Sequence, residues 1–410
     1  MKILGIIAEY NPFHNGHIYQ IEKAKEITKA DFVIVVLSGS FTQRCEPSIF
    51  SKWARTNMAL NCGVDLVIEL PFPFSTASAE GFARGGVSLL TALRCVDYIC
   101  FSSESGDIEQ LIYAKNAVIS PLVDEKIMLH LKSGITYAVA RQKAVKDVFG
   151  VKISKILESP NNILAVEYLK ALDYFSSKIK PFTIKRIGSG HNQEGKVDNY
   201  SSASFIRKQL LSRKDNCQNT MPLMVNKIIE NEIDKGKIAQ FNELERAIIL
   251  SLRVMGVDKI KQTPQVNEGI QTRIYNACVK ANNLEQLYEL AKTKRYTMSR
   301  IRRTVLWAFI GIKKQHIFNR VPYIRVLGFN DNGRIILRKI KKNSKLPIIT
   351  KPSFCQKKLS EKAQKIFDVE TKASELWSLC CKQVLLGGLD RTESPIYYRS
   401  QKSEVGCQNV

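Results

Sequence analysis

Through the first hundred residues, short and almost continuous apolar runs alternate with amphipathic stretches. The runs are Ile3–Ala8, Phe32–Leu37, Leu66–Leu70 and Tyr98–Phe101, rich in β-branched residues, and each ends in a loop of Gly, Pro, Ser or Asn. Between them, His17–Thr28, Ile49–Leu60 and Glu80–Leu93 repeat apolar residues every three or four positions, the period of a helix with one buried face. Strands apolar on both sides need cover on both faces, so the pattern predicts an α/β fold, a Rossmann-like parallel sheet with helices on either side. In such sheets ligands bind at the carboxyl ends of the strands.

Beyond residue 107 the pattern turns helical, with one further strand expected at Phe182–Ile187. Polar Ser212–Pro222 reads as a linker, 223–320 as all-helical, and 321–352 as short strands around Gly328 and an Asn330-Asp331-Asn332-Gly333 turn. The expected organisation is therefore a Rossmann-like domain at 1–211, a linker at 212–222, a mainly helical region at 223–390 and a polar tail at 391–410.

Charge sharpens that division. The 410 residues carry 62 Lys and Arg against 38 Asp and Glu, a formal +24, with an apolar fraction of 44% that suits a folded chain. Residues 1–100 balance nine bases against nine acids, whereas 292–345 hold sixteen bases and one acid, Asp331. A solvated helix face normally mixes both signs, so this segment points to a polyanion. The longest apolar stretch, Val305–Ile312, is far short of a membrane span, and the N-terminus meets Glu9 too soon for a signal peptide. A soluble, cytosolic protein without membrane contact is expected, and no feature calls for a protein partner. Its ten scattered cysteines form no metal-binding spacing and read as reduced thiols.

The loop after the first strand is Glu9-Tyr10-Asn11-Pro12-Phe13-His14-Asn15-Gly16-His17, and it holds two of the five histidines. Three residues apart at a helix start, His14 and His17 share a face beside the free N–H groups of the first turn, an anion site. Gly16 allows a phosphate to approach the backbone. Two imidazoles there can donate to oxygens that gain charge during phosphoryl or nucleotidyl transfer. An ordinary polar loop is the plain alternative, and a metal pair lacks a third ligand nearby.

These residues resemble the His-x-Gly-His signature of the nucleotidyltransferase superfamily, whose two histidines contact ATP phosphates. Tyr200-Ser201-Ser202-Ala203-Ser204-Phe205-Ile206-Arg207 is similar to that superfamily's second element, a serine-rich helix start carrying an arginine. A plain N-cap with a surface arginine is its alternative reading. Longer segments resemble one family within it, the bacterial tRNA(Met) cytidine acetate ligases. They include Ser38-Gly39-Ser40-Phe41-Thr42-Gln43-Arg44-Cys45-Glu46-Pro47, Ser51-Lys52-Trp53-Ala54-Arg55, Ser159-Pro160-Asn161-Asn162-Ile163-Leu164 and Thr293-Lys294-Arg295-Tyr296-Thr297.

The resemblance implies activation of acetate by ATP as acetyl-adenylate, then acetylation of the N4 amine of the wobble cytidine of elongator tRNA(Met). It implies His14 and His17 as catalytic residues. The ATP site would comprise Ile7, Ala8, Glu9, Tyr10, Asn11, Pro12, Phe13, His14, Asn15, Gly16, His17, Ile18, Tyr19 and Gln20, with Ser102, Asn161, Asn162, Arg186, Ile187, Ser202 and Arg207. Ser102 and Cys45 stand where that family usually has Gly. Mg²⁺ is expected from nucleotide chemistry, with no carboxylate cluster to name its ligands. A small-molecule adenylyltransferase and a non-catalytic RNA-binding protein remain as alternatives.

From the residues themselves, an N-cap role competes for Asn161 or Asn162. Arg44 and Lys52 are placed to meet either ATP or tRNA. In the basic segment Lys294, Arg295, Arg300, Arg302 and Arg303 are the candidate tRNA contacts, while Trp307 sits on an apolar stretch and reads as core.

Overall fold

A computed structural model describes residues 1–187, 200–212, 217–355 and 359–399. Residues 213–216 of the expected linker and 400–410 of the expected tail lie outside the described residues. Among the described residues, eight strands form one sheet: β1 (Ile3–Ala8), β2 (Phe32–Ser38), β3 (Leu66–Leu70), β4 (Tyr98–Ser103), β5 (Lys180–Lys185), β6 (Ile324–Phe329), β7 (Ile348–Ile349) and β8 (Ile396–Tyr397). Their order is β5-β4-β1-β2-β3-β6-β7, with β8 beside β6. The first five run parallel. Strand order reverses between β1 and β4, and at such a switch point a crevice opens outside the carboxyl ends.

Alternation along the strands builds two cores. Ile3, Ile34, Val36, Leu66 and Ile68 face one side, packed with Ala83, Val87 and Leu90 of helix α4 (Ala79–Ala92). Leu4, Ile6, Val33, Val35 and Val67 face the other, against Ile21 and Ala24 of α1 (Asn15–Thr28) and Ala54 and Met58 of α2 (Lys52–Asn61). On the first face, Gly86 permits the close approach of α4 to β1, because a Cβ there would lie 2.5 Å from the Ile7 side chain. The short helix α3 (Phe72–Ser75) follows β3. A third core joins the helices between 245 and 310, and into it the Rossmann part inserts Phe41, Cys45, Phe72 and Ala77. Trp307 is buried there as expected, its indole N–H donating to Thr76 Oγ1 at 2.9 Å.

The sheet does not respect the division expected at 212–222. β6 leaves the helical region and pairs antiparallel with β3, so the C-terminal half completes the N-terminal sheet. The Asn330–Gly333 segment is correspondingly not a hairpin turn. Asn330 Oδ1 accepts from Gly333 N–H at 2.9 Å and caps a helix, Asp331–Asn343, whose Ile336 and Ile340 are buried. Asp65 holds that cap to the start of β3, its Oδ1 accepting from the side-chain amides of Asn330 and Asn332 at 2.9 and 3.1 Å. Among the described residues, no helix is long and apolar enough to cross a membrane. The eight cysteines that can be assigned there are all free thiols.

Candidate active site

The loop after β1 delivers both histidines to the crevice. His14 is the N-cap of α1, and its Nδ1 accepts from Gly16 N–H at 3.1 Å. His17 returns the bond, its Nδ1 accepting from His14 N–H at 3.1 Å, so two imidazoles form a reciprocal capping box. The rings stack 3.7 Å apart, with Tyr10 and Phe13 packed on His17. A Cβ on residue 16 would come within 2.9 Å of the His14 ring, which is why glycine stands between them. Part of the helix N-terminus expected to bind anion is thus satisfied by His14 itself.

Both rings are held neutral. Burial, reinforced by the charge of Arg186, pushes His14 down to about 3, and burial with His14 and Arg186 nearby puts His17 well below the ordinary value. With each Nδ1 committed as acceptor, the proton of each neutral ring resides on Nε2, leaving two N–H donors for an incoming anion.

Other expected residues gather on the same edge. β1 pairs β4 and β4 pairs β5 in parallel register, with Ser102 opposite Ile184. Ile7, Ala8 and Ser102 therefore end neighbouring strands. β5 ends two residues earlier than expected, so Arg186 and Ile187 lie just past it, Arg186 N–H donating to Ser103 O at 3.0 Å. Ser202 caps the helix Ala203–Leu211, accepting from Phe205 N–H at 3.2 Å, and aims Arg207 at the loop, where it donates to Asn11 O at 2.8 Å. Asn11 Oδ1 accepts from Ile49 N–H, Tyr19 packs edge-on against Tyr200, and Gln20 reaches buried Cys100. Pro12 follows a cis peptide bond, Asn15 donates to Asn219 O, and Ile18 is half-buried.

Asn161 and Asn162 are not caps. Ser159 occupies the N-cap of helix Pro160–Tyr174, and the Glu104 carboxylate fills its N-terminus, accepting from Asn161 Nδ2 at 2.7 Å and Asn162 N–H at 2.9 Å. Asn162 Oδ1 in turn accepts from Glu104 and Ser105 N–H, fastening the loop after β4.

Three features escaped the sequence pattern. Arg55, fully buried on α2, donates to the carbonyls of Glu9 (2.6 Å), Ser38 (3.0 Å), Gly39 and Phe50 (3.1 Å), and so fixes the ends of β1 and β2 together. Lys52 cannot meet ATP or tRNA, because it is fully buried against Glu69, Glu370 and Asp390 at 2.5, 3.1 and 2.7 Å. The available signal was two cations three apart on the apolar face of one helix. Thirdly, Arg302 pairs with Glu46 of the loop after β2 and lies over the Tyr288 ring.

Arg300 is likewise engaged by Glu268 at 2.9 Å, and Arg303 lies close to Cys45, whereas Lys294 and Arg295 are exposed. Arg44 is exposed beside Glu9 and Arg207. Cys45 has φ 60°, a left-handed conformation that favours glycine, and burial pushes its thiol up to about 12. Among the described residues no group of three His, Cys, Asp or Glu side chains is arranged to hold a metal ion.

A family model described as HIGH Nucleotidyl Transferase matches residues 1–388. The tRNA(Met) cytidine acetate ligase of Thermoanaerobacter sp. (strain X514) is 44% identical over 398 residues, 95% of this chain and 98% of that protein. The corresponding ligase of Acetivibrio thermocellus is 41% identical over 93% of this chain and 96% of that protein. The crystal structure of Thermotoga maritima TmcAL bound with alpha-thio ATP superposes with a TM-score of 0.91 at 32% identity, covering 98% of this chain and all of that one. The chain belongs to the HIGH nucleotidyltransferases and, within them, to the family of the tRNA(Met) cytidine acetate ligases.

Proposed function

We propose that this protein is an ATP-dependent ligase that activates acetate as acetyl-adenylate and acetylates the N4 amine of the wobble cytidine of elongator tRNA(Met), forming N4-acetylcytidine. The observation that carries the chemistry is the His14–His17 pair, neutral and locked with both Nε2–H donors available at the carboxyl edge of the sheet. ATP lies along Ile7–Gln20, with Ser102, Asn161, Asn162 and Ile187 on the adjoining strand ends and Ser202 supporting Arg207. His14, His17, Arg186 and Arg207 meet the phosphates. Acetate oxygen attacks the α-phosphorus and pyrophosphate leaves. The charge moving onto the leaving oxygens is met by donors already in position, which need no reorganisation. Mg²⁺ bound with the triphosphate would neutralise charge on its oxygens, while His14, His17, Arg186 and Arg207 hold the phosphates from the protein side.

Lys294 and Arg295 supply the accessible charge for tRNA, and Arg300, Arg302 and Arg303 extend it toward the crevice. Arg300 and Arg302 reach an RNA phosphate only by sharing Glu268 and Glu46 with it. With tRNA as substrate, the protein works in the cytoplasm. Incubation with ATP, labelled acetate and elongator tRNA(Met) tests the reading: label in the tRNA is expected, and nucleotide transfer to a small metabolite, or no turnover, would overturn it.

Replacing Lys294 and Arg295 together with Ala is expected to weaken tRNA binding and to lower the slope of log K against log salt by roughly 0.7–0.9 per lost phosphate contact. Binding isotherms over a salt series check this. An unchanged slope would place the RNA elsewhere.

A further inference from the structure

The reaction has a second half, in which the cytidine amine must lose a proton, and its acceptor is not among the residues that meet ATP phosphates. The carboxylates at the carboxyl edge of the sheet can be taken one at a time. Glu69 is sealed with Lys52 and Arg325. Glu104 has both oxygens bonded at the N-terminus of the Pro160–Tyr174 helix. Asp107 caps Glu109 and Gln110 N–H and accepts from the Gln110 amide. Glu46 is paired with Arg302.

Among the described residues of that edge, Glu9 alone has neither an ion pair nor both oxygens bonded. Its Oε1 accepts from Gln43 N–H at 2.7 Å, and Oε2 has no partner there. The residue is half-buried and follows the last residue of β1, on the carboxyl edge of the sheet. An anion is a poor ligand for phosphate, and its presence in the ATP loop calls for another task. Its position supplies one. Through Gln43 it touches the loop after β2, which carries Glu46 and hence Arg302, so it stands where the nucleotide loop meets the basic segment.

We infer that Glu9 is the general base of acetyl transfer, a role resting on the ligase function proposed above. The N4 nitrogen attacks the acetyl carbonyl carbon and the C–N bond forms. The C–O bond to the adenylate phosphate breaks, AMP departs with that electron pair, and the N4 proton passes to the Glu9 carboxylate. The groups facing Glu9 are Arg44, Arg55, Arg207, Cys45 and Tyr168. Burial outweighs the Gln43 bond and the three guanidiniums, so its pKa lies above the ordinary glutamate value, in the direction that improves a base.

Two steps are measured separately: acetate-dependent ATP–pyrophosphate exchange, and single-turnover transfer from preformed acetyl-adenylate to elongator tRNA(Met). Glu9→Gln keeps an acceptor for Gln43 N–H and removes the proton acceptor. Transfer is expected to fall on the order of 10²-fold or more beyond any change in exchange. Equal losses in both steps, or unaffected transfer, would overturn the assignment. Should Glu9→Gln not fold, the wild-type pH profile decides. A rate that declines as pH falls in transfer and not in exchange supports Glu9, and matching profiles reject it. A wild-type enzyme that never labels tRNA would instead sink the ligase reading itself.

Discussion

Replacing His14 with Asn lowers acetate-dependent ATP–pyrophosphate exchange by about 10²–10³-fold, the range for losing one preorganised donor at a developing charge, while leaving the fold nearly as stable as before. Asn is as good an N-cap as any residue, so the amide oxygen replaces His14 Nδ1 as acceptor for Gly16 N–H and only the Nε2–H donor is lost. His14→Ala loses both, and should add about 1 kcal/mol of destabilisation to the same loss of rate. If the Asn variant kept full exchange, His14 would be a cap and nothing more. The pH dependence separates the roles again. Because both rings stay neutral far below their ordinary value, neither contributes an acid limb to exchange near neutrality. The unfolded chain, in contrast, binds protons at these histidines from about pH 6.5 downward. Stability therefore falls as pH drops below that value, and His14→Asn should fall less steeply.

That experiment rests on a loop whose character was plain in the sequence, and the physical reason is locality. β1 and β3 begin and end where their apolar runs do, since strands covered on both faces are nearly continuous in apolar residues; Glu69 is the one exception, and its ion pairs with Lys52 and Arg325 permit it. The capping box joins residues three apart, so its spacing can be read directly. β4 runs past its apolar residues because Ser102 and Ser103 pair with Ile184 and Lys185 of β5, with the Ser103 hydroxyl bonded to Thr183 at 2.7 Å, a partner 80 residues away. β6 was visible as a strand, but nothing local says that its neighbour is β3. The same holds for the basic segment. Composition announced a surplus of positive charge, yet only the packing distinguishes Lys294, which is exposed, from Arg302, which is held by Glu46. The Asn330–Gly333 segment has the residues of a turn and the residues of a helix start, and Asp65, far away in sequence, selects the second.

Lys52 is the extreme case of a role set at long range, and its removal should have the largest effect on stability. Its partners Glu69, Glu370 and Asp390 lie 17, 318 and 338 residues further along the chain, and Arg325 joins at Asp390, 2.9 Å away. Two cations face three carboxyls in a site closed to water. The set balances if one acid stays protonated. Burial together with Glu69 raises the Glu370 pKa well above its ordinary value, whereas Lys52 and Arg325 outweigh burial and depress Asp390. Glu370 is therefore the neutral member, and its second oxygen accepts from Phe72 N–H at 2.5 Å, tying the helix Glu361–Ser378 to the end of β3. Lys52→Met fills the volume but strands two buried carboxylates, at a cost of about 3–5 kcal/mol. Glu370→Gln imitates the protonated acid and forfeits one acceptor, at about 1 kcal/mol. Urea unfolding at neutral pH should resolve the two. The pH dependence carries the opposite signs of the two acids. Stability from Glu370 is present below its unfolded pKa and is lost as pH rises through its folded one, while that from Asp390 is lost as pH falls. Glu370→Gln should thus flatten the alkaline side alone. A Lys52→Met protein as stable as the parent would mean that the carboxylates, not the lysine, hold the C-terminal helix in place.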